Sequence, residues 1–457
     1  MAHTFGTPAY SSDGVVAAPH YLAALAGVNV LRDGGSAIDA ALATNFVLAV
    51  VWPHMCGPGG DLFAQVWSPS DGRLFAFNAS GRAGAAMTVD AYHARGIKSM
   101  PQRGPLSVTV PGAIDGWFEL HRRWGRLEMD RLTRDAAHLA RDGFRLTSFT
   151  AGAIAGNAEL LARNGGGAEV FLRHGNAPRA GDRLVQPDLA KTFELLARDG
   201  PQVFYRGELC ERVLEFLAQR GGGLNADDFA SQSSEWVEPI GVEYRGVRVC
   251  QVPPNSQGIA LLETLNIIGE LDLRELTTGE RLHQLVERKK LAFADRDACV
   301  ADPRCADVPT ERLLDSQHAA ERARRVDGVA IEHTPGPRQP ADGDTIYLCT
   351  ADRDGMVVSW IQSLYAAFGS GVHVPGTGVT LHNRGFGFVL TPGHPNALAA
   401  GKRPLHTLMP GFAQRGGQPW LAFGTRGADG QPQTGLQILT GLLDLRLDLQ
   451  AAIEAPR

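Results

Sequence analysis

Thr345 stands where a Pro- and Gly-rich segment meets an alternating apolar strand, and this junction constrains the chain more than any other feature. The segment VDGVAIEHTPGPRQPADG (326–343) leads through Asp344 to Thr345, the first residue of TIYLCTAD. If the Asp344–Thr345 bond is cut, a hydroxyl and a new α-amine lie on one residue, so nucleophile and general base need no separate His or Lys. The segment is typical of a domain linker or of a processing loop, and we favour the processing loop.

The strand that begins at Thr345 is predicted to form one arm of a β-hairpin. It ends in the turn DRDG (352–355), and the chain returns as MVVSWIQS. Counting back from the turn places Ser363 within about one residue of the position opposite Thr345, where a hydroxyl could orient the new amine. From spacing alone, a threonine that only starts an ordinary strand is the alternative.

The residues around Thr345 resemble the nucleophile region of the γ-glutamyltransferase family, N-terminal nucleophile hydrolases that cut themselves immediately before this threonine. The similar stretch is GDTIYLCTADRDGMVVSWIQSLYAAFGSGVHVPGTGVTLHN. Other blocks in the family's order are VVAAPHYLAALAGVNVLRDGGSAIDAALA, MCGPGGDLF, VPGAIDGWFELHRRWG, LARDGF, PPNSQG and GKRPLHTLMPGF, so the resemblance covers essentially the whole chain. It implies an α+β fold, the four-layer αββα sandwich, and hydrolysis or transfer at an amide, typically a γ-glutamyl one.

The predicted fragments 1–344 (large) and 345–457 (small) are expected to form one αββα domain and to stay associated after cleavage. Helical patterns predominate up to about residue 300 and strand patterns after 345, which is compatible with helices layered on stacked sheets. A capping box at Ser36 and a second hairpin at 61–79 are further local predictions. The final residues AAIEAPR resemble a family segment that normally continues further, which suggests a small fragment truncated at its C-terminus.

The resemblance assigns catalytic roles. Thr345 would be the nucleophile that forms an acyl-enzyme, released by water in hydrolysis or by an amine in transfer. Ser363 occupies the place of a family hydroxyl that hydrogen-bonds the nucleophile. The family's two oxyanion-binding glycine amides fall on Gly427 and Ala428, in GTRGADGQPQ. Ala428 keeps its N–H, but its Cβ resists positive φ, and Arg426 places a bulky charge in a motif that is normally small or apolar.

Two arginines are candidates for binding a substrate carboxylate, because a guanidinium can fix its orientation by bidentate pairing. Arg82, in NASGRAG, is the nearest match to the family's carboxylate-binding arginine, although the alignment is offset there. Arg384, in LHNRGFGF, lies where glutathione-cleaving members place a glutamine, and it could supply a second positive charge. A solvated surface arginine is the alternative at Arg384.

The positions that set specificity depart from those of glutathione-cleaving members. Those enzymes hold the substrate's α-amino group with an asparagine and an aspartate, and Tyr365 and Gly387 stand in their places. Two pocket serines fall on His406 and Thr407, although a core or interface role for His406 stays open. Without that aspartate, the site lacks the negative charge that favours an ammonium group on the substrate. The pattern resembles a side branch, close to cephalosporin acylase-like and oxamate amidohydrolase-like members, which accepts amides without an α-amino group.

Composition argues against several classes of protein. A formal net charge of −5 gives no reason to expect nucleic acid or an anionic membrane as partner. No apolar run approaches the ~18 residues of a membrane span and the N-terminus lacks a secretory signal, so a cytoplasmic location is expected. Six cysteines without metal-ligand spacing are interpreted as reduced core residues. No metal and no cofactor are expected, and a homo-oligomer is compatible with the sequence.

The leading hypothesis is a self-processing threonine amidohydrolase that acts on a small carboxylate-bearing amide. A true γ-glutamyl hydrolase or transferase of glutathione is the alternative among enzymes. From a different class, the chain could be an uncleaved, non-catalytic relic, which the C-terminal truncation and the RGAD substitution motivate. Two fragments on a denaturing gel would separate enzyme from relic.

Overall fold

The computed structural model describes residues 6–163, 165–332 and 343–457, without the side chains of residues 343 and 344. Its helices are α1 (Tyr21–Arg32), α2 (Ala37–Val51), α3 (Val89–Ala94), α4 (Ala113–Trp124), α5 (Met129–Asp142), α6 (Ser148–Gly156), α7 (Ala158–Arg163), α8 (Gly167–Phe171), α9 (Pro187–Asp199), α10 (Gln202–Tyr205), α11 (Glu208–Ala218), α12 (Ala226–Ala230), α13 (Gly258–Ile268), α14 (Thr278–Cys299), α15 (Thr310–Leu313), α16 (Ser316–Ala323), α17 (Gly430–Leu443) and α18 (Leu449–Glu454). Its strands are β1 (Gly14–Ala17), β2 (Asp61–Ser68), β3 (Arg73–Ala79), β4 (Phe144–Arg145), β5 (Arg183–Leu184), β6 (Glu235–Val237), β7 (Ile240–Tyr244), β8 (Val247–Gln251), β9 (Gly343–Asp352), β10 (Val357–Ala366), β11 (His373–Val374), β12 (Val379–Thr380), β13 (Gly411–Arg415) and β14 (Gln418–Phe423). Of the predicted processing segment, residues 333–342 lie outside the described part of the chain.

Two antiparallel sheets lie face to face. The first has the strand order β1-β9-β10-β2-β3-β6, and the second has the order β14-β13-β8-β7. Phe63 and Ile361 of the first sheet share a buried apolar cluster with Leu408, and Trp67 packs with Phe412 of the second sheet. Buried Gln65 donates from Nε2 to the carbonyls of Cys250 and Pro410 across the gap. The space between the sheets is therefore a packed core.

Helices cover the outer face of each sheet. On the first sheet, Ile346, Leu348 and Trp360 join the cluster that contains the fully buried helix α2. On the second sheet, Val249 and Ala413 join a cluster with residues of α13 and α17. Successive residues of a strand point to opposite faces, which is why each strand contributes to both an outer and a central layer. The layer order is the predicted αββα.

The strands of the two predicted fragments are interleaved. β9 and β10 lie between β1 and β2 in the first sheet, and β13 pairs with β8 in the second. Helices do predominate before residue 300 and strands after 345, but neither block forms one of the two main sheets alone. If the chain is cut before Thr345, the fragments share three backbone ladders, β1–β9, β2–β10 and β8–β13, and the apolar core between the sheets, which would hold them together.

Local sequence patterns gave several elements correctly. The Ser36 hydroxyl accepts from the Asp39 N–H at 3.2 Å, and the Asp39 carboxylate accepts from the Ser36 N–H at 2.9 Å, so the capping box forms. The hairpin at 61–79 is β2–β3. All six cysteines are free, but Cys305 is exposed, so its assignment to the core was wrong. Among the described residues, no helix has both the length and the apolar character needed to cross a membrane.

Candidate active site

Thr345 lies near the start of β9, at one end of the first sheet. Ile346 pairs with Gln362, and continuing this register by one residue sets Thr345 opposite Ser363. The Thr345 hydroxyl donates to Ser363 Oγ at 3.1 Å, and both side chains are buried. β9 runs unbroken through Asp344 and Thr345, so this is the geometry of the uncut chain. The predicted neighbour of the nucleophile therefore lies within hydrogen-bond distance before any cleavage.

A β-bulge follows Ser363. The register shifts so that Tyr365 pairs with Asp344, and Tyr365 takes a φ of 82°. A bulky residue at positive φ is strained, and bulges commonly redirect a side chain beside an active site. Two contacts accompany the strained residue: its N–H donates to Ser363 Oγ at 2.7 Å, and its ring lies 3.7 Å from the guanidinium carbon of Arg384. No pattern in the sequence predicts this bulge.

Asp61 extends the row of polar side chains onto the next strand. It pairs with Ser363 across β2 and β10, and its Oδ1 accepts from the N–H groups of Gly81 and Gly112 at 3.0 and 3.1 Å. Its Oδ2 lies 3.1 Å from Nε2 of His406. Burial disfavours the charged carboxylate, but the surrounding histidines and Arg384 outweigh burial and lower the pKa of Asp61 to about 2. Asp61 is therefore ionised at neutral pH.

His406 is fully buried, and both of its ring nitrogens are engaged. Nδ1 accepts from the Leu408 N–H at 3.2 Å, so Nε2 carries the proton and donates it to Asp61. Burial, with a contribution from Arg384, lowers the pKa of His406 to about 3, so the ring is neutral. Because both nitrogens are engaged, His406 can present only its ring carbons to a substrate. Its hydrogen bond to Asp61 orients that carboxylate.

Arg384 is a buried cation with an open donor. The residue is 1% exposed, its Nη1 donates to Thr407 Oγ1 at 3.1 Å, and its buried Nη2 has no acceptor among the described residues. The alternative of a solvated surface arginine is therefore wrong. Burial lowers the pKa of Arg384 to about 10, which still leaves it charged at neutral pH. A buried guanidinium without an anion beside it is unfavourable, so the space next to Arg384 suits an anionic ligand.

Gly387 leaves no space for the acid that glutathione-cleaving members carry there. It ends the 3₁₀ helix Arg384–Gly387, and a Cβ at this position would come within 2.8 Å of the Leu405 carbonyl oxygen. An aspartate at Gly387 would thus require the backbone to move. Among the described residues of the candidate site, Arg384 contributes a buried positive charge, and position 387 contributes no carboxylate.

Arg82 belongs to a different network. Its Nη2 pairs with Glu235 at 2.7 Å, and the same carboxylate also binds Arg403 and Arg304. One nitrogen of Arg82, Nη1, is buried without an acceptor in the described part of the chain. No hydrogen bond or ion pair of the described residues joins Arg82 to Thr345. Glu235 is shared by three arginines, but it gives Arg82 an ion-pair partner, whereas no ion pair of the described residues involves Arg384.

The loop 424–429, between β14 and α17, begins beside β9, the strand that contains Thr345. A Cβ on Gly424 would lie 2.4 Å from the ring of Tyr347, two residues after Thr345. Gly427 has a φ of 107° and Ala428 a φ of 44°, so the alanine does adopt the positive φ that we expected it to resist. The N–H groups of these two residues donate to no acceptor among the described residues and precede the N-terminus of α17, where an anion is favoured.

Two residues that the sequence did not suggest hold this loop. Buried Gln257 donates from Nε2 to the carbonyls of Thr407 and Ala428, both at 2.9 Å. Its Oε1 accepts from Arg296 at 2.7 Å, and Arg296 also pairs with Asp429 at 2.7 Å. Gln257 belongs to the block PPNSQG, but the carbonyls of Thr407 and Ala428 lie 150 and 171 positions away in the sequence, and Arg296 carries no local signal.

These contacts form one continuous path across the candidate site. The path is Thr345, Ser363, Tyr365, Arg384, Thr407, Gln257 and Ala428. The fold therefore brings together most of the predicted site residues, together with Asp61, Gln257 and Arg296. Arg82 stands apart in its own ion-pair network. Arg426 is exposed, with its guanidinium 4.8 Å from the centre of the Phe149 ring.

Comparison with known proteins gives consistent matches. Residues 23–457 match the family model described as Gamma-glutamyltranspeptidase. The chain is 42% identical to the glutathione hydrolase-like YwrD proenzyme of Bacillus subtilis (strain 168), over 97% of this chain and 84% of that protein. It is 38% identical to the oxamate amidohydrolase proenzyme of Klebsiella pneumoniae, over 98% of this chain and 85% of that protein.

A solved structure supports the same relationship. The crystal structure of cephalosporin acylase from Bacillus halodurans matches with a TM-score of 0.92 and 38% identity, covering 100% of this chain and 86% of that chain. The fold predicted from the sequence, and the resemblance to acylase-like and oxamate amidohydrolase-like proteins, are thereby confirmed.

Proposed function

Because the chain belongs to the gamma-glutamyltranspeptidase family of hydrolases, we propose that it is a self-processing threonine amidohydrolase acting on a small amide that bears a carboxylate. The observation that carries the proposal is Arg384, a buried cation whose Nη2 has no acceptor in the described part of the chain, joined through Tyr365 and Ser363 to the Thr345 hydroxyl. One end of a small substrate would bind this cation while its amide carbonyl meets the hydroxyl.

Self-cleavage begins with attack of Thr345 Oγ1 on the carbonyl carbon of Asp344. The C–N bond breaks, its nitrogen takes up a proton and becomes the free α-amine of Thr345, and an ester joins Asp344 to the threonine oxygen. Water then hydrolyses the ester. The contact between Thr345 and Ser363 in the uncut chain supports this step because it orients the hydroxyl beforehand.

Turnover uses the same hydroxyl with the new amine as general base. The amine accepts the hydroxyl proton as Oγ1 attacks the substrate amide, and the free N–H groups of Gly427 and Ala428 stabilise the oxyanion. The leaving amine departs with a proton, and water releases the acid from the acyl-enzyme. An amine in place of that water gives transfer.

The substrate carboxylate is expected to have no ammonium beside it. Tyr365 and Gly387 stand where an amide and an acid would bind an α-amino group, and Arg384 would repel an ammonium. The oxamate named for one relative is an amide with a carboxylate and no ammonium. Hydrolysis of glutathione is the second candidate, favoured by the name of the relative from Bacillus subtilis.

A pair of anilides tests the substrate class. γ-Glutamyl anilide and glutaryl anilide differ only in the α-amino group, and we expect the larger kcat/KM for the glutaryl compound. The uncut variant Thr345→Ala gives the background rate. A preference of about tenfold or more for the γ-glutamyl compound, or about 1.4 kcal/mol, would instead establish the glutathione-type specificity.

Mass spectrometry of the purified chain tests the self-processing. We expect a fragment that begins at Thr345, together with one that ends at Asp344. A chain that stays intact after long incubation, while folded by its thermal transition, would identify it as the non-catalytic relic.

A further inference from the structure

Away from Thr345, three helices bring potential metal ligands together. Glu263 lies on α13, Asp295 on α14 and His318 on α16. Nε2 of His318 lies 3.3 Å from Glu263 Oε1 and 3.3 Å from Asp295 Oδ2, and one ligand atom of each residue lies within 4.8 Å of the others. Sequence spacing predicted no metal site, because Glu263 and Asp295 are 55 and 23 positions from His318.

The spacing of these atoms suits an ion between them. Nitrogen and oxygen ligands of a tetrahedral zinc ion lie about 2.1 Å from the metal, and therefore about 3.4 Å from each other. The two distances of 3.3 Å match that value. His318 Nε2 lies between the two carboxyl groups, and a cation at this point would replace the proton that the three groups share.

A second observation points to a missing partner. Glu263 is 1% exposed, and its Oε2 is buried with no hydrogen-bond partner among the described residues. A buried carboxylate oxygen without a donor is unfavourable. Arg322 pairs with Oδ1 of Asp295, so that Oδ2 faces His318. In metal sites, a partner outside the ligand shell often orients a carboxylate in this way. The side chain of His318 is 15% exposed, so an ion can reach the cluster from solvent.

We propose that Glu263, Asp295 and His318 bind one first-row divalent cation, of which Zn²⁺ is the probe of choice. One imidazole and two carboxylates form a donor set that such ions accept, and water completes the coordination. The ion joins α13, α14 and α16. Asp295 is followed directly by Arg296, which holds Asp429 beside the loop 424–429. The site is therefore structural, and it stabilises the helices that support the loop.

Zinc titration of the full chain tests the proposal without any reference to catalysis. Protein stripped with a chelator is titrated with ZnCl₂ by calorimetry and by thermal unfolding. We expect one equivalent to bind and Tm to rise, and we expect His318→Ala to weaken binding by about tenfold or more. His93→Ala is the control, since His93 is an exposed histidine of α3, and it should bind as the wild type does. Wild-type protein without saturable one-to-one binding, or His318→Ala with unchanged affinity, overturns the proposal.

A second variant covers the case in which His318→Ala does not fold. Glu263→Gln keeps the size of the side chain and an oxygen that can accept from His318, but it removes the carboxyl group that would ligate the ion. Without zinc its Tm should be close to that of the wild type, because the amide fills the same space and adds no charge. With zinc its gain in Tm should be smaller, since an amide is a poorer ligand. A full zinc-induced gain in Tm would contradict the metal site, whereas a purely structural cluster would show no zinc-dependent difference.

Discussion

The two sides of the candidate pocket are built differently. The nucleophile side, formed by Thr345, Ser363, Asp61 and His406, lies on and between paired strands, and its side chains are buried. The loop side, residues 424–429, is partly exposed and takes positive φ at two consecutive residues. Backbone ladders fix the first, whereas side chains distant in sequence hold the second. We therefore expect loss of the Thr345 hydroxyl to have an all-or-none effect on activity and changes on the loop side to have graded ones.

The largest effect is expected at Thr345. Thr345→Ala should abolish both cleavage and activity, because no other group of the row carries the hydroxyl and the future amine together. Thr345→Ser keeps the hydroxyl and should still be cut, which makes it the matched control. Fragment masses and anilide hydrolysis measure both effects. Cleavage of the alanine variant at the same bond would refute the assignment of the nucleophile.

Two arginine variants test which cation binds the substrate carboxylate. Arg384→Met should lower kcat/KM for a carboxylate-bearing amide by roughly 10- to 100-fold, the value of a charge-assisted hydrogen bond of about 1.5–3 kcal/mol. Arg82→Met should lower it less, because Glu235 already pairs with Arg82. If Arg82→Met has the larger effect while Tm is unchanged, Arg82 is the carboxylate-binding residue.

A variant of Gln257 tests how the loop side is held in place while Thr345 and Ser363 stay unchanged. Gln257→Leu removes the donors to the Thr407 and Ala428 carbonyls, so the N–H groups of the loop lose their fixed position. We expect kcat to fall by about tenfold, within the range of a lost oxyanion donor, while cleavage before Thr345 continues. Gln257→Glu keeps the acceptor for Arg296 but not these donors, and it should be impaired as well. Loss of cleavage in a well-folded Gln257→Leu protein would show that the two sides are not separable.

Acid should destabilise the nucleophile side through His406. Its folded pKa of about 3 lies below the ordinary value of 6.5, so its contribution to stability is complete above pH 6.5 and is lost as the pH falls towards 3. In that window the unfolded chain binds one more proton at this site, which corresponds to about 1.4 kcal/mol per pH unit. His406→Asn should reduce the slope of unfolding free energy against pH by that amount, measured by urea unfolding between pH 6 and 4. Equal slopes for the two proteins would mean that His406 is not held neutral.

The smallest effect is expected from relieving strain in the loop. Ala428→Gly should leave kcat unchanged or raise it slightly, since glycine adopts a φ of 44° without the penalty of about 1–2 kcal/mol that a Cβ carries. The matched change Gly427→Ala should lower kcat, because Gly427 has a φ of 107°, which an alanine rarely adopts. A Cβ at this position would meet no neighbouring atom within 4 Å, so the backbone conformation alone opposes the alanine. A large loss of kcat in Ala428→Gly would mean that this segment is not the oxyanion site.

Sequence reasoning recovered the parts of the site that local periodicity encodes. The alternation of TIYLCTAD and MVVSWIQS, with a turn between them, fixes the register that sets Thr345 against Ser363. A slip of one residue would turn every side chain of the strand to the opposite face. The family blocks gave the αββα layering, and the capping box at Ser36 followed from side-chain and backbone chemistry within four residues.

Contacts between distant residues were decided by the tertiary structure alone. No periodicity relates the residues that form three of these features. They are the bulge at Tyr365, the hydrogen bond between Asp61 and His406, and the hydrogen bond from Gln257 to the Ala428 carbonyl. The open donor of Arg384 is likewise invisible in sequence, because burial and the absence of a partner arise only when the sheets and helices pack around the side chain. Local sequence patterns are enough to predict which residues share a strand, a turn or a cap, since those depend on backbone geometry over a few residues. Which charges are buried together, and which are left without a partner, was decided only by packing.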